Sequence, residues 1–287
     1  MAQQGKKTSA QRFVYSIDSF ADGISFGQHR INADSDWRRD LPLGIDDTTS
    51  SHQLRSRYPL KKENPLHALE LQLMKLSQKG VLSESEMIFG LTTDPFFPFE
   101  GKFDASIRFL ELFQRYTPQS ITIQTRSPLI VIAMPILRKL GNRASVTIGI
   151  ETHLEESSQR YTPGLPRVEE RLKTAAALRR FGVEVTVQVG PVLPYGDWRK
   201  DASEFASVLN EHSDYIRPVP LYELQKQSGR SVNCSVSQRI ARDRLFHYLR
   251  PDSAEPLKAA IQNMAPQKLK GPETVQRGPV QLGIFAA

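Results

Sequence analysis

At 287 residues, with 39% hydrophobic and 24% charged residues, the chain has the composition of a soluble globular protein and the length for one α/β barrel or two small domains. No apolar run approaches the roughly 20 residues of a membrane span, and the basic start MAQQGKKTSAQR is followed by no signal-like apolar stretch, so a cytoplasmic location without membrane association is expected. The single cysteine, Cys234, excludes an internal disulfide and every multi-cysteine metal site, while a net charge of +7 and a pI near 9.5 are compatible with a polyanion partner such as nucleic acid.

RFVYSI, residues 12–17, is the first predicted strand. Residues 18–64 then run polar with no sustained period, too long for an ordinary loop, so they read as a functional insertion or a partly disordered stretch. PLHALELQLMKLSQKG sets Leu66, Leu69, Leu73 and Leu76 on one helical face and closes on Gly80.

From there strands and helices alternate. EMIFGL (86–91) is strand-like, and Asp104 is placed to cap a helix through RFLELFQRY. SITIQT (120–125) alternates by twos, a short helix follows Pro135 and ends at Gly141, and ASVTIGI (144–150) is the next strand. An alanine-rich helix, VEERLKTAAALRRFG, ends at Gly182 and leads directly into VEVTVQV (183–189). A polar helix around DASEFASVLNEH then precedes DYIRPV (214–219). Successive strands of this set start about 25 to 40 residues apart, the spacing of βα units around a parallel sheet or barrel, and RFVYSI brings the count to six. Cys234–Arg250 reads as a closing helix with Ile240, Leu245 and Leu249, and the tail from about Ala265 as an extended arm. The expected organisation is residues 1–64 as first strand plus remodelled polar loop region, 65–250 as a partial α/β barrel, and 251–287 as an extended basic C-terminal arm.

Functional residues of parallel α/β sheets and barrels gather at the C-terminal strand ends. Those ends here are Thr93-Asp94-Pro95, Thr125-Arg126-Ser127-Pro128, Glu151-Thr152-His153, the stretch Pro191–Asp197, and Pro218–Glu223. Each residue alone has a plain structural reading: Asp94 as a turn cap, Arg126 as a loop cation, Glu151 as surface charge. Five polar exits in register point instead to one shared cleft, with Asp94, Arg126, Glu151 and Asp197 on one rim.

These stretches resemble the spore photoproduct lyase-related branch of the radical S-adenosylmethionine (SAM) superfamily. Its T-D-P-(Y/F)-x-P-x-E strand exit matches Thr93, Asp94, Pro95, Phe96, Pro98 and Glu100, and its T-(K/R)-S exit matches Thr125, Arg126 and Ser127. GIETHLEESSQRYTPGLPRVEERL follows a third pattern of the branch through Thr152, Glu155, Glu156, Arg160, Pro163, Pro166, Arg171 and Leu172. Gly149 stands where serine is usual, Thr162 where glutamate is, and the proline turn of the family survives as Pro191, Leu193, Pro194 and Asp197 with Tyr195-Gly196 shifted. The resemblance covers residues 81 to 223 and implies a partial (β/α)6 TIM-like barrel of radical SAM type. It further implies that the rim lines a SAM groove, with Asp94 toward an ammonium group and Thr152 and Arg160 toward ribose or carboxylate. Arg126 offers a planar fork suited to phosphate or carboxylate.

What the family uses for chemistry is missing. Radical SAM enzymes carry C-x-x-x-C-x-x-C after the first strand, three thiolates that hold a 4Fe–4S cluster. This chain has DSFADGISFGQHRINAD there, without a cysteine; Cys234 lies far off, and His29 does not restore the set. No iron–sulfur cluster and no reductive cleavage of SAM are therefore expected. The six histidines (29, 52, 67, 153, 212, 247) show no paired metal-ligand spacing, so Asp94, Glu151, His153, Asp197 and Glu223 make a poor hydrolase centre. There is no G-x-S-x-G, and the arginines of RLKTAAALRRFG and RIARDRLFHYLR fit solvated helix faces.

The expected function is that of a cluster-less, non-catalytic radical SAM-like protein, binding a small ligand or a partner protein (an intact radical SAM paralogue being one such partner) at the barrel mouth. The ligand-binding candidates are Thr93, Asp94, Thr125, Arg126, Ser127, Glu151, Thr152, Arg160 and Asp197, with no catalytic or metal-ligating residue assigned. The alternative is a non-radical enzyme or SAM-binding protein using the same rim, acting on nucleic acid in one version. Residues 18–64 are expected to pack over the mouth, with Phe20, Phe26 and Trp37 meeting Phe96, Phe97 and Phe99.

Overall fold

The computed structural model describes residues 11–20, 23–32, 64–91, 93–96, 102–222 and 235–269. Among these, seven strands form one sheet in the order β2-β1-β3-β4-β5-β6-β7. Six of them, β1 (Gln11–Phe20), β3 (Glu86–Phe89), β4 (Ser120–Thr125), β5 (Ala144–Gly149), β6 (Glu184–Val189) and β7 (Tyr215–Pro218), run parallel. Helices α1 (Pro65–Gln78), α2 (Lys102–Arg115), α3 (Met134–Leu140), α5 (Val168–Arg180) and α6 (Ala202–His212) connect them, with a short α4 (Glu155–Tyr161) before α5. This is a partial TIM-like barrel, as the strand spacing predicts.

The helix signals act where they stand in the sequence. Asn64 accepts a hydrogen bond from the Leu66 amide at 3.1 Å and Pro65 opens the first turn of α1, whose Leu69, Leu73 and Leu76 are buried. Leu66 lies half-buried at the core margin. Asp104 is not a cap: α2 begins two residues earlier, and the exposed carboxylate sits in its first turn, where it favours the helix dipole. Gly141, with φ of 61°, closes α3.

Side chains alternate across the strands. On the outer face Ile121, Ile123, Val146, Ile148, Val185 and Val187 join helix residues such as Phe113, Leu137 and Leu178 in one buried cluster. Each of these large side chains is worth about 1.5–3 kcal/mol relative to exposure. The inner face differs. At its β1–β3 end Val14, Ile88 and Leu91 form a separate small apolar cluster, and from β4 onward the lining turns polar. Parallel strands covered on both faces normally read as continuous apolar runs; here the outer half alone does.

The structure departs from the sequence reading in further places. Residues 18–64 are not all loop: β2 (Gly23–Asn32) pairs antiparallel with β1, from Phe20↔Gly23 to Gln11↔Asn32. Asp22-Gly23 is a hairpin signal, outweighed in the sequence by the low apolar content of GISFGQHRIN. Phe26 packs on Tyr15 with ring centroids 5.6 Å apart, against the main core in which Phe96 is fully buried. Phe97, Phe99, Trp37 and the Phe20 side chain lie outside the described residues.

Cys234–Arg250 is not one helix. Cys234 lies outside the described residues; α7 spans Ser235–Arg242, Arg244 has φ of 59°, and a short 3-10 turn covers Phe246–Leu249. Within 251–287, expected as extended, α8 (Glu255–Met264) buries Leu257 and Ile261 in the main cluster and packs on α6. Pro256, at the start of this helix, supports it instead of breaking it. Beyond α8, the Lys268 Nζ donates to the carbonyls of Asn210 (2.7 Å) and Ser213 (3.0 Å) at the end of α6, and Leu269 bridges to Ile216. No helix among the described residues is long and apolar enough to cross a membrane.

Candidate functional site

The C-terminal ends of β3, β4 and β5 are tied into one network. Gly90 ends β3 at φ of 91°, where a β-carbon would stand 2.6 Å from both the Gln124 carbonyl oxygen and Pro95 Cδ, so only glycine allows that approach. The turn that follows places the Asp94 carboxylate against β4. Its Oδ1 accepts from the Phe96 amide (3.0 Å) and the Thr125 hydroxyl (2.6 Å), and its Oδ2 from the Arg126 amide (2.6 Å). Burial pushes this carboxyl above the ordinary range, against those three hydrogen bonds, which favour the ionised form. The Thr93 amide donates to Asp18 Oδ1 on β1 at 3.1 Å.

Arg126 reaches sideways over β5. Its Nε donates to Glu151 Oε1 at 2.6 Å and its Nη2 to the Gly190 carbonyl at 3.1 Å. Arg171, fully buried on α5, donates from Nη1 to Glu151 Oε2 (2.6 Å) and to the Gly149 carbonyl (2.7 Å), and from Nη2 to Ser158 Oγ (3.2 Å). Glu151 is thus a buried carboxylate between two guanidiniums. Burial alone would raise its pKa, but Arg171 and then Arg126 hold it at about 2.

The remaining sequence candidates are brought to the same end of the sheet in different roles. Thr125 Oγ1 accepts from the Ser127 amide (2.9 Å), and Ser127 Oγ accepts from the Leu129 amide (3.3 Å), so both shape the turn into the helix beyond. Thr152 donates to the Pro194 carbonyl (2.9 Å) and accepts from the Leu154 amide (3.2 Å). Arg160, on α4, grips the Asp243 carboxylate with two nitrogens, and Tyr161 adds its hydroxyl at 2.7 Å. Asp197 is exposed and caps its own turn, accepting from the Arg199 (3.1 Å) and Lys200 (2.9 Å) amides. Asp94, Arg126 and Glu151 therefore meet directly, while Asp197 and Arg160 stand outside that cluster. Glu223 lies outside the described residues. Beside the cluster His153 stacks on Phe205 at 4.9 Å, its Nδ1 buried without a hydrogen-bond partner and its pKa lowered by burial.

Below this network the inner face encloses a cavity of about 10 Å³, room for roughly one water. Thr122 and Gln124 from β4, Ser145 and Thr147 from β5, Thr186 and Gln188 from β6, and Arg217 from β7 line it. Thr122 and Ser145 hydroxyls lie 3.1 Å apart, and Thr122, Thr186, Gln188 and Arg217 are all buried. Sequence reasoning about strand ends passed over this face. Its signal was the period of two in SITIQT, ASVTIG and EVTVQV, whose polar members share one side.

No family model and no curated protein matches the sequence. Among solved structures, the chain is similar to spore photoproduct lyase. A lyase variant with bound AdoMet and dinucleoside spore photoproduct superimposes with a TM-score of 0.52 at 11% identity, over 78% of this chain and 71% of that one. Spore photoproduct lyase complexed with dinucleoside spore photoproduct gives 0.51 at 11% identity, with the same two coverages of 78% and 71%. A third lyase structure aligns over 71% of this chain and 65% of its own, a little under two thirds of its length, with a TM-score of 0.48. The fold is similar to that of spore photoproduct lyase. At this identity the likeness is one of backbone architecture, and the chemistry has to be read from the residues present. A 4Fe–4S cluster of the radical SAM kind takes three cysteine thiolates; the chain has one cysteine, so its donor set does not fit that group. Among the described residues, no three His, Cys, Asp or Glu side chains are grouped to hold a metal ion.

Proposed function

We propose that this protein is a cluster-less, non-catalytic counterpart of the radical SAM enzymes that binds a small polar ligand on the inner face of its partial barrel. The polar lining of β4–β7 carries this reading. Interiors of TIM barrels are usually filled by bulky branched side chains, and a polar lining such as this one is kept where its groups find hydrogen-bond partners, from the protein, from water or from a ligand. Concave sites with a few convergent polar groups are where small molecules bind. The rim residues play the supporting part: Asp94, Thr125, Arg126, Glu151 and Thr152 already bond to one another or to the backbone, and so shape the mouth above the cavity.

Two measurements test this. Anaerobic reconstitution with iron and sulfide should leave the protein colourless and unable to release 5′-deoxyadenosine from SAM under reduction. Calorimetry without iron, with SAM and with smaller polar metabolites, should show binding that Gln188→Met weakens. A brown protein with near-stoichiometric iron, or released 5′-deoxyadenosine, would overturn the non-catalytic reading. Binding untouched by Gln188→Met would move the site off the inner face.

A further inference from the structure

We propose that residues 244–253 are an acid-released latch, docked on the loop after β6 while His247 is neutral and lifted from it when His247 takes a proton.

Stacked rings hold the latch. His247 packs on Trp198, with ring centroids 5.2 Å apart, and on Tyr248 at 4.4 Å, and Tyr248 meets Tyr195 edge-on at 5.9 Å. The Tyr195 amide donates to the Tyr248 hydroxyl oxygen at 3.3 Å, and Trp198 Nε1 donates to the Ser253 carbonyl at 2.9 Å. Tyr195 and Tyr248 are fully buried, which keeps the docked form dominant at neutral pH.

Within this packing His247 Nε2 is buried without a hydrogen-bond partner. A proton added to the ring makes Nε2 a charged N–H donor with no acceptor, which burial penalises. Arg250, in the same stretch, repels that proton, while Asp197, in the facing loop, attracts it but is outweighed. The other charges of these elements have different engagements. Asp201 accepts from the Asp197 amide, Arg199 lies over the Trp198 ring at 5.5 Å, and Lys200 stands 3.9 Å from Asp197. Arg244 and Asp252, near the two ends of the stretch, are exposed.

Both flanks of the latch are anchored. Before it, α7 buries Val236 and Ile240, and Asp243 is gripped by two Arg160 nitrogens and the Tyr161 hydroxyl. The Asp243 pKa of about 2 keeps that anchor charged through mild acid. After it, α8 buries Leu257 and Ile261 and packs on α6. Between the anchors Arg244 has φ of 59°, and it is the one non-glycine residue at positive φ among the described residues. That conformation is strained for a side chain of this size, and lifting the latch lets it relax. The lifted histidine has the ordinary pKa of 6.5 and the docked one a lower value, so docking holds above pH 6.5 and weakens below it. The ratio of docked to lifted molecules falls by up to about tenfold per pH unit.

The test is amide hydrogen exchange of the full-length protein from pH 7.5 to 5.5, corrected for the intrinsic pH dependence of exchange. The Tyr248, Arg250 and Ser253 amides, which donate to the Leu245, His247 and Arg250 carbonyls, should lose up to about tenfold protection per pH unit below 6.5. Low urea should leave their exchange unchanged while it speeds that of β5 and β6, the mark of a local opening. His247→Phe, which keeps a ring against Trp198, should remove the pH dependence at these amides, and His153→Phe should leave it in place. Should His247→Phe fail to fold, Arg250→Gln, which removes the repelling cation, should make the dependence shallower. The proposal is overturned by wild-type protection that does not change with pH, by a dependence that neither His247→Phe nor Arg250→Gln alters, or by latch amides that exchange only together with the strands.

Discussion

The Arg126 side chain lies so close over Gly149 that a β-carbon there would come within 2.9 Å of both its Cγ and its Nε. A serine at this position would displace the guanidinium from Glu151 and from the Gly190 carbonyl. Glycine at 149 and the inward-folded Arg126 are therefore one feature. Gly149→Ala should destabilise the protein by about 1–3 kcal/mol through overpacking and the lost ion pair. Arg126→Ala alone should also destabilise, but Gly149→Ala added to it should cost far less than in the wild type. Urea unfolding of the four proteins of this cycle measures the coupling; strictly additive effects would separate the two residues.

Glu151 sets an acid limit on stability. Its pKa is about 2 in the folded protein against an ordinary 4.5, so it stabilises the fold above pH 4.5 and that contribution is lost as pH falls toward 2. A depression of this size is worth about 3 kcal/mol. Glu151→Gln, which leaves two guanidiniums facing each other without an anion, should cost about 3–5 kcal/mol at neutral pH. It should also flatten the acid limb of the stability curve. Chemical unfolding at a series of pH values between 2 and 7 shows both; an unchanged acid limb would mean that Glu151 is not the group responsible.

His153 acts in a higher window. Burial holds its imidazole neutral, opposed by the charges of Glu204 and Asp201, so its folded pKa lies below the ordinary 6.5. The unfolded chain then binds the proton more readily, and stability should decline as pH drops below 6.5. His153→Phe keeps the stack on Phe205, removes an unpartnered buried nitrogen, and should abolish this part of the decline. Comparing urea midpoints at pH 7.5 and 5.5 tests it. His247, which burial and Arg250 also hold low, should contribute a further slope of the same sign.

Inner-face polarity should be dispensable for folding. Thr147→Val preserves shape and removes one hydroxyl from the cavity wall, so stability should change by no more than about 0.5 kcal/mol, or rise. Ligand binding should nevertheless weaken. A loss of several kcal/mol on unfolding would instead show that the hydroxyl holds the sheet together.

Much of the architecture was legible in the chain. The parallel strands announce themselves through β-branched runs at regular spacing, and helix ends through Gly141 and Gly182, because these are local properties of a few successive residues. β2 and α8 were hidden for the same reason. Neither is marked by a long apolar run of its own, and each is held by what it lies against: β1 in one case, α6 in the other.

The sequence by itself determined the polar strand exits and, through its single cysteine, the lack of three thiolates to hold a cluster, because residue counts and local order do not depend on folding. Only the tertiary structure decided what those exits do. Arg126 and Glu151 stand 25 residues apart in the chain, and Glu151 and Arg171 20 apart; strand register and the docking of α5 bring them within 2.6 Å. Period-two alternation shows that a strand has two faces but not which one turns inward. That choice falls to the helices, which cover the apolar side of the sheet and leave Gln124, Gln188 and Arg217 to line the interior.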